Sequence, residues 1–387
     1  MSFFSRTDKS VLGKWWWTVD RVTLALLLTL CVFGVMLVAA ASPPVAERNG
    51  DPANHFIIRH IIFLVPSLIF LVGLSMANLQ QVWRVALIFT GISLFCMVMV
   101  LFVGSEVKGA QRWLQLGPLS LQPSELVKPV FVVVAAWMIA RQKEKPQFKG
   151  IYYAVGLYFV VIALLLLQPD MGMTFVVTVS FFTVIFLAGL PFRWIVLLVV
   201  LALGASFAAY SGFDHVQSRI DRFLNPERGD TYQIDRSLRA FQHGGLFGTG
   251  AGQGTVKMTI PDAHADFIFS VAGEELGMLV TVLLVGLYGY IIIRGYNRIM
   301  DTDNMFVILA SGGLLTMFGL QALVNMGSAV HLLPTKGMTL PFISYGGSSL
   351  LSCGIAMGML LALTRRQGRS GIARGGLSIR PIGGSAK

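Results

Sequence analysis

Residues Val22–Ala41 read VTLALLLTLCVFGVMLVAAA, twenty residues without a charge. A helix rises about 1.5 Å per residue, so a run of this length spans roughly 30 Å, the thickness of bilayer hydrocarbon. Nine further runs follow: Phe56–Ala77, Trp83–Val103, Leu126–Ala140, Ile151–Leu167, Met171–Leu190, Phe192–Ser211, Phe267–Ile293, Phe306–Ser328 and Gly347–Thr364. Leu126–Ala140 is short, and its helix is expected to begin nearer Pro123. Backbone groups in lipid must bond within their own segment, so such runs are helices. The alternating ten-residue segments of a membrane barrel are absent. The fold class is therefore all-α: a polytopic integral membrane protein of about ten transmembrane helices.

Composition agrees. Of 387 residues, 55% are hydrophobic and 13% charged, against about 25% charged in soluble domains. Lys9, Lys14 and Arg21 ahead of the first run, with Ala39-Ala40-Ala41 at its end, could imitate a signal peptide. The apolar stretch is longer than a signal's 7–15 residues, so it reads as an uncleaved first helix. With ten spans both termini share one side, which carries 18 of the 30 Lys and Arg but only 5 of the 19 Asp and Glu. Positive charge marks the cytoplasmic side. Topology thus explains the net charge of +11, and no nucleic-acid partner is needed. The chain divides into a cytoplasmic N-terminus (1–21), a membrane domain (22–366), a large extracytoplasmic loop within it between helices 7 and 8 (212–266), and a disordered Gly-, Ser- and Arg-rich cytoplasmic tail (367–387).

Most unusual residues fall on the outer side. In the large loop, Phe213, Phe223, Leu224, Tyr232, Ile234, Leu238, Phe241 and Phe247 interleave polar positions. That pattern suits a loop folded onto the membrane with short interfacial helices. Glu125 and Lys128 share one face of a starting helix. They are either a local ion pair or an anion-binding group facing a cavity. Gly244–Gly254, GGLFGTGAGQG, is neither a Walker A loop nor a dinucleotide fingerprint. It reads as a flexible turn or as a nest of amides for an anionic headgroup. Asp266 stands where polar loop becomes apolar helix, as an N-cap or a functional carboxylate. Glu274 and Glu275 lie further along that helix, where carboxylates are costly and default to function, although bonds to neighbouring helices would also explain them. Asp170 marks another helix end, as a cap or turn. Gln321 and Asn325 precede the last outer loop, whose sole cation is Lys336. The six histidines, His55, His60, His215, His243, His264 and His331, read as scattered interfacial residues. Cys31, Cys96 and Cys353 sit in apolar runs as small core residues.

Taken in order, KGAQRWLQLGPLSLQPSELVKP, QPDMG, YQIDRSLRAFQHGGLFGTGAGQGTVK, IPDAHADFIFSVAGEELG and LPFISYGGSS resemble the SEDS (shape, elongation, division and sporulation) family across Val22–Arg366. Pro334-Thr335-Lys336-Gly337 followed by Thr339-Leu340-Pro341-Phe342 is most similar to its division branch. The resemblance implies a glycosyltransferase polymerising lipid II into glycan strands at the outer face of the bacterial cytoplasmic membrane, at the septum. It implies Asp266 as the essential catalytic aspartate, with Lys128, Glu125, Ser124 and Lys336 as substrate-binding cavity residues. Ser120 and Leu121 stand where other members can carry a basic residue. Expected partners are lipid II, the nascent lipid-linked strand, a single-span class B penicillin-binding protein that crosslinks it, and other divisome membrane proteins. No cofactor is required by the motifs. A divalent cation, Mg²⁺ or Mn²⁺, would suit the lipid pyrophosphate, with its ligands unknown. Glu274, Glu275 and Asp170 remain the other carboxylate candidates. The rival reading is a lipid II flippase, which would need substrate groups at the midplane and inner face as well.

The charge asymmetry makes a direct prediction. A reporter fused after Lys387 is expected to be active only in the cytoplasm, and one inserted near Arg228 only outside. The opposite pattern would overturn the topology.

Overall fold

The computed structural model describes residues 10–107, 110–117, 119–189, 193, 204, 232–333 and 337–365. The seventh apolar run apart from Arg193 and Gly204, the first part of the large loop, Lys336 and the tail lie outside these residues.

The other nine runs are helices. They are α2 (Arg21–Asn49), α3 (His55–Ser75), α4 (Leu79–Val103), α5 (Pro123–Glu144), α6 (Gly150–Leu167), α7 (Met171–Leu187), α9 (Ile268–Met300), α10 (Met305–Ala329) and α11 (Gly347–Leu363). Seven of these are long and apolar enough to cross a bilayer, while α7 and α11 are shorter apolar helices. Helix α5 begins at Pro123, where proline's missing N–H costs nothing. It runs through the centre of the bundle and is buried along most of its length. Helices α3 and α11 pack most closely of all. Gly354 and Gly358 of α11, a Gly-x-x-x-Gly pair, let the backbones meet. A Cβ at Gly354 would lie 2.3 Å from the Ser67 carbonyl oxygen.

Two features differ from a plain helix-and-loop reading. The N-terminal stretch contains an eight-residue helix, α1 (Val11–Thr18). Its Trp15 Nε1 donates to Ser75 Oγ at 2.8 Å, and Arg21 lies over the Trp16 and Trp17 rings. The outer segment after α4 forms a small antiparallel sheet, β1 (Ser105–Val107), β2 (Ala110–Leu116) and β3 (Leu119–Leu121), in the order β1-β2-β3. Its alternating residues carry the two-residue period of a strand, in stretches too short to stand out between helices.

Asp20 closes the end of the bundle where α2 starts and α11 finishes. It caps α2 through the Val22 and Thr23 amides and receives Arg294 through two bonds of 2.8 and 2.9 Å. Arg298 adds a contact of 2.9 Å. Burial pushes the Asp20 carboxyl up, but bonds from Arg294 and Thr23 and the Arg298 charge outweigh it and hold the group below the usual range.

At the opposite end, α9 is broken. Gly277 has φ 81° and ψ 176°, outside helical space. Across such a break the carbonyls of Glu274 and Glu275 lose the Met278 and Leu279 amides. The glycine-rich segment takes up all four groups. Thr249 N donates to Glu274 O and Gly250 N to Glu275 O, while Met278 N reaches Gly245 O and Leu279 N reaches Leu246 O. The segment has the positive φ of a turn at Gly245, Gly248, Gly250 and Gly252, but its 249 and 250 amides are taken by helix carbonyls and not left for an anion: it is main chain inserted into a helix. Helix α8 (Tyr232–Gly244) delivers it, packed on α9.

This contact separates two glycines of similar backbone conformation. Gly248 has φ 82°, and a Cβ there would lie 2.2 Å from Glu275 O; Gly252 has φ 80° with nothing within 4 Å. Gly252→Ala is expected to cost only the left-handed penalty, about 1–2 kcal/mol. Gly248→Ala is expected to lower the melting temperature in detergent much further. Equal shifts would show that the insertion is not what holds the break.

Candidate functional site

A cavity of about 450 Å³ opens at the end of the bundle opposite the Asp20 cluster. Helices α5, α7 and α11 all begin at its wall, through Gln122 and Glu125, Asp170–Met173, and Gly346–Ser349. Helix starts carry unbonded N–H groups and partial positive charge, so the cavity suits an anion. No side chain caps α5 or α11.

Asp266 lines this cavity, and its Oδ2 lies 3.5 Å from where a Cβ on Gly337 would stand. The N-cap position of α9 belongs to Phe267, one residue on. The turn around Asp266 is fastened through three consecutive carbonyls. His264 O accepts from Tyr345 N at 2.9 Å, Ala265 O from Ser344 Oγ at 2.7 Å, and Asp266 O from Asn325 Nδ2 at 3.0 Å.

Glu125 also lines the cavity. Lys128 stands behind it, 1% exposed, with its ammonium 2.7 Å from Glu125 Oε2 and 3.3 Å from Gln321 Oε1. The ion pair seen in the sequence is therefore present and buried, and Lys128 meets the cavity through Glu125. Ser124 is buried, accepting from Gln122 Nε2 at 3.1 Å. Asp170 caps α7 through Met173 N at 3.2 Å and accepts from Gln122 Nε2 at 3.3 Å. It is thus both a cap and part of the wall. Lys336 lies outside the described residues.

Glu274 and Glu275 are elsewhere. Glu274, fully buried, accepts from the Val256 and Lys257 amides at 2.7 and 2.8 Å and pairs with His243 Nδ1 at 2.9 Å. Glu275 pairs with the Lys257 ammonium, which also donates to Ala40 O at 2.9 Å. That carbonyl is open because Pro44, four residues on in α2, has no N–H to give it. The two glutamates thus pin the strand of chain leading to Asp266. Arg48 helps, donating to Ile260 O at 2.9 Å.

Several cavity residues carried no clear sequence signal. Burial pushes the Tyr345 phenol up, and the Arg59 guanidinium, near the start of α3, offsets this in part. Arg112 on β2 donates to Gln168 O at 2.9 Å and lies 3.9 Å from Asp170 Oδ2. Asp262, at φ 50°, and His264 line the same wall. His264 stacks 4.2 Å from Phe56, so it is part of the site and not a scattered interfacial residue.

A helical membrane bundle with a cavity at one end, a carboxylate on its wall and helix starts around it is the architecture of a membrane protein suited to an anionic ligand. The family model described as "Cell cycle protein" (FTSW_RODA_SPOVE) matches residues 20–369. The chain is 42% identical over 365 residues to the "Probable peptidoglycan glycosyltransferase FtsW" of Caulobacter vibrioides, covering 94% of each chain. It is 36% identical to the protein of that name from Coxiella burnetii, covering 90% of this chain and 96% of that one. Among solved structures, it superposes with a TM-score of 0.72 and 30% identity on a chain from "Structural coordination of polymerization and crosslinking by a peptidoglycan synthase complex", covering 89% and 97%. Thermus thermophilus rod shape determining protein RodA gives 0.63 and 28%, covering 90% and 97%. The chain belongs to the SEDS family, in its FtsW branch.

The buried Lys128–Glu125 pair makes a prediction. Lys128→Met leaves a buried carboxylate without its partner, which typically costs about 3–5 kcal/mol. A large fall in melting temperature is expected, with most of it recovered in Lys128→Met/Glu125→Gln. If the single variant melts like wild type, the pair is not a structural element.

Proposed function

We propose that this chain is a peptidoglycan glycosyltransferase that polymerises lipid II into glycan strands for the division septum. The observation that carries the reading is the Asp266 carboxylate on the wall of an outer-end cavity that also presents Arg59 and Arg112. The donor is the lipid-linked strand and the acceptor is the 4-hydroxyl of the incoming lipid II sugar. As that oxygen attacks the anomeric carbon, Asp266 takes its proton, because a sugar hydroxyl is a weak nucleophile. The bond from the anomeric carbon to the pyrophosphate oxygen breaks, and polyprenyl pyrophosphate leaves. An α-linked donor and a β-linked product require inversion.

The arginines and the α5 and α11 helix starts stabilise the charge gathering on the leaving group. Lys128 supports this wall through Glu125, and Lys336, in the loop next to Gly337, is a further candidate cation. Among the described residues no three acidic, histidine or cysteine side chains converge as a metal site. A divalent cation would therefore rest on one or two carboxylates and on the pyrophosphate itself, as Mg²⁺ usually does. No step here depends on it.

The flippase reading would need matching groups at the other end. The charged cluster described there, Asp20 with Arg294 and Arg298, is a closed ion pair network. The reading places the chain in the cytoplasmic membrane with cytoplasmic termini, working beside a class B penicillin-binding protein that crosslinks the strands. The similarity to a chain from a complex coordinating polymerization and crosslinking supports that partner.

The test is polymerisation of fluorescent lipid II by purified protein with that partner. Asp266→Ala and Asp266→Asn are expected near background. Asparagine keeps the shape and polarity but accepts no proton near neutral pH. Asp266→Glu is expected to retain a trace, since misplacement by about 1 Å costs on the order of a hundredfold. Substantial activity in Asp266→Asn would remove Asp266 as the base and leave Asp262 and Asp170 as the carboxylates to test.

A further inference from the structure

Asn325 has no part in the scheme above, yet its side chain is 1% exposed and touches the segment that carries the base. Its Nδ2 donates to Asp266 O at 3.0 Å and to Met338 O at 2.6 Å. Both partners are carbonyl oxygens, which only accept, so the amide must present its nitrogen to them. No other small side chain supplies two such donors from one atom: serine has one, and an ionised aspartate has none. The orientation has a cost, because Asn325 Oδ1 is buried without a partner.

What these bonds fix follows from peptide geometry. A peptide unit is planar, so holding its oxygen holds the whole plane. The plane before the Asp266 Cα carries Ala265 O, which accepts from Ser344 Oγ at 2.7 Å, and Asp266 N, which donates to Asp262 O at 3.1 Å. The plane after it carries Asp266 O, held by Asn325. With both planes set, φ and ψ of Asp266 are set, and with them the direction of its Cα–Cβ bond. Met338 O ties the same amide to the loop whose Gly337 faces the Asp266 carboxylate.

We propose that Asn325, with Ser344, is a positioning residue that aims the Asp266 carboxylate at the acceptor hydroxyl by fixing the two peptide planes that flank it. The proposal rests on Asp266 being the base. Asn325→Leu keeps the size and removes both donors; Ser344→Ala removes the bond to the other plane.

The experiment is a double-mutant cycle in lipid II polymerisation with the full chain and its crosslinking partner, crossing each change with Asp266→Glu. In the wild-type background each change is expected to lower the rate at saturating lipid II by about tenfold or more, with half-saturation moved less than about twofold. In the Asp266→Glu background, where the aim is already lost, the same change is expected to cost less than about threefold. A change that merely reduced the folded fraction would cost the same factor in both backgrounds, and that result overturns the proposal. Unfolding of both Asn325→Leu and Ser344→Ala would overturn it too, since the bonds would then serve the fold. The two claims fail separately. Wild-type rates in Asp266→Asn would remove the base assignment and the aiming role with it. Near-background Asp266→Asn with multiplicative losses in the cycle would remove the aiming role alone.

Discussion

A backbone N–H or C=O in hydrocarbon must find a protein partner, and this requirement organises the outer half of the molecule. Three departures from regular helix there are matched by long-range bonds. The Gly277 break opens two carbonyls and two amides, and the glycine-rich segment 245–250 closes all four. Pro44 leaves Ala40 O without an amide, and Lys257 supplies an ammonium. The turn at 264–266, before α9 begins, has its carbonyls closed by Tyr345, Ser344 and Asn325. Irregular backbone is tolerated at such depth only where protein or a cavity surrounds it. The cavity and its surroundings are therefore where the irregularities gather.

The same accounting sorts the charged residues. An ionisable group at membrane depth defaults to a functional hypothesis, but several here are consumed in fastening the chain. Glu274 accepts from two amides and a histidine, Glu275 holds Lys257, and Glu125 holds Lys128. The cavity wall itself presents Arg59, Arg112, Glu125, Asp170, Asp262 and Asp266, drawn from five separate stretches of chain. The clamps make that convergence possible: the strand of chain bearing Asp266 is tied to α2, α9, α10 and the loop before α11 at once.

The architecture was largely legible because hydrophobic length is a local signal. Val22–Ala41 or Trp83–Val103 announces a span without reference to any other residue, and the start of α5 near Pro123 followed from the shortness of the run Leu126–Ala140. The site was legible in part. The motif order pointed to Asp266, Glu125 and Lys128, and the ion pair between the last two was readable from their spacing. Other roles depend on partners far away in sequence. Nothing local distinguishes Glu274, which pins residues 256 and 257, from a carboxylate facing substrate. Likewise Gly248 is legible as a turn residue, but its packing against Glu275 O needs the fold. Arg59 and His264 belong to the cavity only because α3 and the last loop meet there through Phe56 and Tyr345.

For the base proposed at Asp266, fastening through the main chain has a consequence for turnover. A carboxylate held by donors to its own oxygens changes those bonds when it takes a proton, since the protonated group is a poorer acceptor and a new donor. The geometry would then shift within each cycle. The carbonyls of Ala265 and Asp266 do not titrate, so their bonds to Ser344 and Asn325 are the same before and after proton transfer. These main-chain bonds therefore do not vary with the charge of the Asp266 side chain. For the proposed polymerisation, in which one proton transfer recurs for every sugar unit added, such bonds would present the same backbone geometry to each new acceptor.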